Sequence, residues 1–139
     1  MVTFRDVPEA ITQGENLADA LEQAADALDE AVADRMRLGD EIPLPSKSNK
    51  FSPLVPLPAA TALKAALYLT IKEARLSKVA LAAQLGYDEK EVRRLLSPDH
   101  ASKLQRIEDV LQSLGKRIVV SIEDKVEIKR PARAISANR

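Results

Sequence analysis

The chain has 139 residues, enough for one domain or for two small ones with limited cores. It contains no cysteine and a single histidine, which excludes a disulfide framework, a thiolate metal site and a histidine-rich metal centre. No apolar run approaches the length of a membrane span and no signal peptide opens the chain, so we expect a soluble cytoplasmic protein without a membrane partner.

The net charge is zero, but the charges are separated along the chain. Residues 1–42 contain eleven acidic and three basic side chains, a balance of −8, whereas residues 43–139 contain ten and eighteen, a balance of +8. This separation indicates two partners of opposite charge, DNA for the basic half and a basic protein for the acidic half. A solvated acidic surface explains the first half equally well.

The first predicted elements are two short strands and one long helix. Residues 1–4 alternate enough in polarity for a strand, and residues 10–13, after Pro8, predict a second short strand. Asn16 is a predicted helix cap, and apolar residues then recur at helical spacing to about Leu38. They are Leu17, Ala20, Leu21, Ala24, Leu28, Ala31, Val32 and Met36. One helix over a two-stranded sheet is marginal, so this unit needs a further strand, a partner or a second copy.

Five of the eight prolines lie between positions 43 and 58. Because such a density excludes a long helix, residues 46–58 are predicted to be an extended, proline-rich linker. This linker joins a first unit, residues 1–45, to a second unit, residues 59–124. Residues 125–139 are basic and are predicted to be a disordered tail.

The second unit is predicted to be helical. Apolar spacing predicts one helix over about residues 61–75 and another over about residues 102–114, with two shorter helices between them. Lys64 and Lys72 fall between the apolar residues of the first of these helices, and we expect both in solvent. The predicted core-facing residues of that helix are Leu63, Leu67, Ile71 and Ala74.

The two shorter helices have the pattern of a helix-turn-helix. Ala82 is small enough for a close helix crossing, and Gly86 tolerates the positive φ that the turn requires. Ser77 can cap the first helix, and Asp88 with Glu91 matches a capping box at the start of the second. The apolar positions of both helices are Leu81, Leu85, Tyr87, Val92 and Leu95. An ordinary helical hairpin within a core is the alternative interpretation.

The second short helix carries long polar side chains suited to the major groove of double-stranded DNA. Those expected to reach base edges are Lys90, Arg93 and Arg94. Side chains at the starts of two helices are expected to contact phosphates instead. They are Ser77, Lys78, Ser102 and Lys103. Glu89 is interpreted as a favourable charge near a helix N-terminus rather than as a base contact.

Residues 117–123 are strongly β-branched and predict a strand. A single strand after a helical unit has no partner there, so we expect it to pair with the same strand of a second copy. The predicted assembly is a homodimer, with a tetramer as the alternative. The residues of this dimer strand are Ile118, Val119, Val120 and Ile122.

We predict no catalytic residue, no metal and no cofactor. No two glycines are close enough for a phosphate loop, and the acidic residues of the first helix are dispersed around it. His100 lies in a predicted turn, where a solvated side chain or a phosphate contact is a better interpretation than a catalytic triad. A nuclease of the ribonuclease H type needs several convergent carboxylates and a metal, and the strands offer little beyond Asp6 and Glu9.

Several stretches of this chain resemble the HicB antitoxin family. They include residues 2–15, around Pro8-Glu9-Ala10, and residues 42–46, both in the first unit. Residues 100–104 and 114–117 are similar to the version of the family that carries a C-terminal helix-turn-helix. The resemblance covers roughly residues 2–123.

The resemblance implies an α+β protein with two parts. The N-terminal part is a partial ribonuclease-H-like domain without its catalytic carboxylates, and the C-terminal part is a Cro/repressor-like helix-turn-helix domain with a terminal dimerising strand. The first binds a HicA-type toxin, a small basic ribonuclease, and the second represses the toxin–antitoxin operon by binding operator DNA.

Acidic residues of the first unit are expected to steer such a toxin, namely Asp6, Glu9 and Glu15. Family members have a further strand and a glycine turn before the position equivalent to Met1, so we expect weakened toxin binding by the chain as given. A stand-alone transcriptional regulator that binds no toxin is the alternative.

Overall fold

The computed structural model describes residues 1–47 and 54–124, which contain two short strands and five helices. In chain order these are β1 Val2–Thr3, β2 Ile11–Thr12, α1 Leu17–Leu38, α2 Ala59–Glu73, α3 Lys78–Leu85, α4 Glu89–Leu96 and α5 Leu104–Ser113. The mixture confirms the predicted α+β class, whereas the finer fold assignments stay predictions. The predicted tail and part of the predicted linker lie outside the described residues.

The N-terminal part is a small sheet against a long helix. β1 and β2 pair antiparallel, with Val2 opposite Thr12 and Thr3 opposite Ile11. Residues between the strands and one side of α1 form the core of this part. Its buried members are Val7, Ala10 and Ala31. A sheet this short adds little stability by itself, so the part depends on this core and on its contact with α2.

Helix α1 begins after an asparagine cap and ends at a glycine. The Asn16 side chain accepts a hydrogen bond from the backbone N–H of Asp19 at 2.9 Å, which confirms the cap. Gly39 ends the helix with a φ of 75°, in the left-handed region. Leu17 was predicted to face the core and is exposed, because the buried side of α1 begins further along, at Ala24.

α1 packs directly on α2, a contact that the sequence did not predict. Val32 and Met36 of α1 are buried against Ala65 and Tyr68 of α2. The Tyr68 hydroxyl also donates to the carbonyl oxygen of Asp40, just after α1, at 2.7 Å. The two parts of the chain therefore share a core in addition to being joined by the chain between them.

The main core lies among α2, α3, α4 and α5. Its buried residues are Leu67, Ile71, Leu81, Ala82, Val92, Leu95, Ile107, Val110 and Leu111. Two predictions for α2 are wrong. Ala74 is exposed because the helix ends at Glu73, and Lys64 is buried because its ammonium group finds acceptors on neighbouring elements.

The segment after α5 has no strand partner within residues 1–47 or 54–124. Ile118 is half-buried against the main core. Val119, Val120 and Ile122 are 80, 78 and 95% exposed. Residues 117–123 do not form a strand in the structure, so the strand and its pairing with a second copy both stay predictions. Within the described ranges, the structure contains no helix that is both long and apolar enough to cross a membrane.

Candidate nucleic-acid interface

Two short helices joined by a tight turn, α3 and α4, form the candidate site. The Ser77 hydroxyl accepts a hydrogen bond from the backbone N–H of Ala80 at 3.0 Å, as predicted for a cap. Gly86 ends α3 with a φ of 71°, where a side chain is disfavoured. Asp88 and Glu91 form the predicted capping box, with N–O distances of 2.8 and 3.0 Å. These ends fix the directions of both helices.

Both helices bury their apolar sides in the main core. The fully buried residues of the predicted set are Leu81, Ala82, Val92 and Leu95. Leu85 and Tyr87 are half-buried beside them, and Gly86 is exposed in the turn. With Val92 and Leu95 buried, the opposite side of α4 faces solvent.

That outward side of α4 is cationic. Lys90, Arg93 and Arg94 are exposed. Glu89 pairs with Arg93 at 3.5 Å, and the two side chains are 53 and 64% exposed. An ion pair this exposed is weak, so Arg93 can exchange Glu89 for a phosphate or a base. The arrangement provides side chains of the type that read the major groove.

The residues predicted to hold phosphates differ in their surroundings. Ser77 and Lys78 are exposed at the start of α3, and Lys103 is exposed just before α5. Ser102 is half-buried, because its Oγ accepts a hydrogen bond from Lys64 Nζ at 2.7 Å. Lys78 and Lys103 are open to a ligand, whereas the Ser77 hydroxyl already caps α3 and Ser102 is part of an internal hydrogen-bond group.

Of the three acidic residues expected to face a toxin, two make contacts within the chain. Asp6 accepts hydrogen bonds from the backbone N–H and hydroxyl of Ser46, at 2.9 and 3.0 Å. Glu9 forms a two-point ion pair with Arg35 at 2.6 and 2.9 Å, and this pairing lowers the pKa of Glu9 to about 2. Glu15 is exposed. Asp6 and Glu9 therefore fasten the N-terminal residues to α1 and to the chain that follows it.

The chain is similar to known antitoxins over most of its length. Residues 1–66 match the family model described as HicB-like antitoxin of bacterial toxin-antitoxin system. Antitoxin HicB of Escherichia coli (strain K12) is 35% identical over 118 residues, which cover 85% of this chain and 86% of that protein. The chain belongs to the HicB antitoxin family.

Two further HicB relatives are similar to the same extent. Antitoxin HicB 2 of Photorhabdus laumondii is 38% identical over 117 residues, covering 84% of this chain and 83% of that protein. Antitoxin HicB of Pseudomonas fluorescens (strain Pf0-1) is 38% identical over 122 residues, covering 85 and 82%. The residues that match the HicB family model end within α2, so they include Val32, Met36 and Ala65 of the α1–α2 contact but not Tyr68.

In this HicB-family chain, α5 contacts the start of α4 through Arg106, which the sequence analysis did not predict to be part of the site. Arg106 lies over the Tyr87 ring, 4.7 Å from its centroid, and pairs with Glu91 at 3.0 Å. The pKa of Glu91 is lowered, first by the backbone N–H of Asp88 and then by Arg106. No spacing rule predicts this contact, because it joins residues of different helices.

Metal binding finds no support in the described part of this HicB-family chain. Residues 1–47 and 54–124 contain no group of three or more histidine, cysteine, aspartate or glutamate side chains that could hold an ion.

Proposed function

We propose that this chain is an antitoxin that represses its own operon through α3 and α4, as a helix-turn-helix, and neutralises a HicA-type toxin through its N-terminal part. The observation that carries the DNA-binding half of the proposal is the outward side of α4. Three exposed cations lie there, opposite Val92 and Leu95, which anchor the helix in the main core.

α4 serves as the recognition helix in this proposal. Lys90, Arg93 and Arg94 contact base edges in the major groove of duplex DNA, where arginine pairs well with guanine. Lys78 and Lys103, at the starts of α3 and α5, contact the phosphates on either side. This assignment is supported by the side-chain caps at the starts of α3 and α4, which define where each helix begins.

A second copy completes the DNA-binding unit. Val119, Val120 and Ile122 form an exposed apolar run directly after α5, and pairing of this run with its counterpart would remove it from solvent. The resulting dimer presents two copies of α4 about a two-fold axis and reads half-sites about one helical turn apart.

Toxin neutralisation is supported by family membership and by the charge of the N-terminal part. Its balance over residues 1–42 is −8, which complements a basic ribonuclease. Because Arg35 balances the charge of Glu9 whereas the neutral Ser46 leaves Asp6 charged, Asp6, Glu15 and the exposed acids of α1 carry the steering charge in this proposal. The exposed acids of α1 include Glu22 and Asp26.

Two experiments test the two halves of the proposal. Footprinting of the DNA upstream of its own coding sequence should show protection of two half-sites, and absence of protection removes the repressor function.

Co-expression with the small basic protein of the neighbouring reading frame should restore growth. Added salt should slow the association of the two purified proteins. Protection without growth rescue favours the stand-alone regulator.

A further inference from the structure

Lys64 is a charged residue in the main core. It lies on α2 and is only 5% exposed, although a lysine is among the side chains least often buried. Its Nζ donates to the carbonyl oxygens of Arg94 and Leu95 at 2.9 and 2.8 Å. The third hydrogen bond goes to the Ser102 Oγ at 2.7 Å. All three donors of the ammonium group are therefore used.

The acceptors belong to the two elements that carry the proposed DNA contacts. Arg94 and Leu95 are in the last turn of α4, where carbonyl oxygens have no partner within the helix. The Ser97 backbone N–H already donates to the Arg94 carbonyl oxygen at 3.3 Å, so Lys64 gives that oxygen a second donor and also donates to Leu95. Its positive charge is favourable at a helix C-terminus. Ser102 comes two residues before the start of α5. One side chain of α2 thus joins the end of α4 to the start of α5.

Stability alone does not explain a lysine at this position. A buried charge has lost its hydration, and an apolar side chain of similar size is often as stable or more stable there. The ammonium group instead constrains position, because its three directed hydrogen bonds fix where α4 ends relative to α5. The proposed base-reading side chains precede this point, and the phosphate-binding Lys103 follows it.

We propose that Lys64 is a positioning residue for operator recognition, which holds α4 and the start of α5 in the arrangement that lets both meet the same DNA site. The proposal rests on the proposed DNA-binding function. Lys64 itself is buried and does not touch DNA, so it acts through the backbone of α4 and through Ser102.

Titration of Lys64 provides a readout that separates positioning from folding. Burial lowers the pKa of Lys64 to about 8, so the ammonium group loses a proton, and one of its donors, as the pH rises past that value. The unfolded chain keeps this proton up to about pH 10.5, so this group makes the free energy of unfolding rise between about pH 8 and 10.5. Positioning predicts that operator affinity falls as the pH rises through about 8, where the folded protein loses this proton.

The effect of Lys64 on the pH profile must be separated from the effects of other ionisable groups near it. Asp99 and His100, in the loop between α4 and α5, line the neighbouring cavity of about 320 Å³ together with Lys64. Asp99 is paired with Arg37 of α1, which lowers the pKa of Asp99. On α4 the nearest charged side chain in sequence is that of Arg94, which is exposed. A Lys64→Met variant keeps all these groups, so its pH profile isolates the contribution of Lys64.

The test compares full-length wild type, Lys64→Met and Lys72→Met in binding a duplex of their own upstream DNA and a duplex of scrambled sequence. Lys72 is an exposed lysine of the same helix whose Nζ donates to the Gly39 carbonyl oxygen, so its variant reports the loss of one positive charge and of a hydrogen bond away from α4 and α5. We expect Lys64→Met to lose roughly tenfold in the ratio of the two affinities, as for lost hydrogen bonds to a charged group. Lys72→Met should weaken both duplexes alike.

Wild type should lose affinity for the upstream duplex by roughly threefold or more between pH 7.5 and 9.5 without losing thermal stability. Lys64→Met should show no such loss. An unchanged affinity ratio and a wild-type pH profile in Lys64→Met overturn the proposal. If Lys64→Met does not fold, a flat wild-type profile overturns it instead. Failure of wild type to prefer its upstream duplex at any pH is a different result, which removes the DNA-binding function itself.

Discussion

Arg37, at the end of α1, forms a two-point ion pair with Asp99, in the loop between α4 and α5, with N–O distances of 2.9 and 2.6 Å. It joins residues that are 62 positions apart and belong to the two oppositely charged parts of the chain. Arg37 also pairs with Glu30 and Asp34 of its own helix. The pair therefore adds a polar contact to the apolar α1–α2 core, on the side nearest to the proposed DNA-binding residues.

The first prediction concerns this pair. We expect Asp99→Asn to lower the thermal midpoint slightly, and Arg37→Gln to lower it more, because Arg37 has two further acidic partners. If the two residues act through each other, Asp99→Asn should have no further effect in the Arg37→Gln background. Thermal denaturation of the four chains measures this coupling. Additive midpoint shifts would show that the two residues stabilise the chain independently.

A second prediction concerns Glu9 and pH. Because pairing with Arg35 lowers the pKa of Glu9 from 4.5 to about 2, its contribution is complete above pH 4.5 and is lost as the pH falls toward 2. The Glu9 side chain is 46% exposed, so solvent screening limits this contribution to about 1 kcal/mol. Urea denaturation of wild type and Glu9→Gln should show that difference at pH 7 and a smaller one at pH 3. A difference independent of pH would contradict the ion-pair explanation.

The turn between α3 and α4 gives a third prediction. Gly86 has a φ of 71° and open space where a Cβ would lie, so its requirement is conformational rather than steric. Gly86→Ala should lower the free energy of unfolding by about 1 kcal/mol. Gly86→Asn should cost less, because asparagine adopts left-handed backbone more readily than alanine does. Equal losses in the two variants would mean that something other than φ constrains this position.

The fourth prediction separates base contacts from phosphate contacts. Arg93→Ala and Arg94→Ala should each cost roughly 1–3 kcal/mol in binding to upstream DNA and relax the base preference at one position. Lys78→Ala should weaken binding to all DNA sequences alike. It should also reduce the slope of log affinity against log salt concentration by about one. Titrations of specific and scrambled duplexes at several salt concentrations measure both effects. If Lys78→Ala lost base preference, Lys78 would be a base contact and not the phosphate contact proposed here.

The dimer strand gives the fifth prediction. Val119→Pro removes a backbone donor from the predicted ladder and restricts φ, so it should yield monomers with much weaker operator binding. Sedimentation measures the oligomeric state, and Lys116→Ala, at the edge of the segment, serves as a control that keeps every donor. An intact dimer in Val119→Pro would refute the assignment of this segment as the seam.

Local chemistry predicted the ends of helices well. Asn16, Ser77 and the pair Asp88 and Glu91 all form the expected caps, because a cap depends on residues three or four positions apart. The left-handed turn at Gly86 follows from the same short-range logic. The core of α3 and α4 was also predictable, since helical spacing decides which residues share a side.

Contacts between distant elements were not predictable in this way. Lys64 has the spacing of a surface residue, and only the carbonyl groups at the end of α4, about thirty positions later, make its burial possible. The pairing of Glu9 with Arg35 likewise turns an expected partner-facing acid into an internal contact. In both cases the deciding group lies in another element, and periodicity within one element carries no information about it.

The shared core of α1 and α2 bears on how long such a protein persists in a cell. Val32 and Met36 are covered by Ala65 and Tyr68, so the two parts of the chain contact each other through this core as well as through the backbone. Removal of α1 uncovers one side of α2, the helix that also packs in the main core. We therefore expect the proposed toxin-binding part and the proposed DNA-binding part to be degraded together.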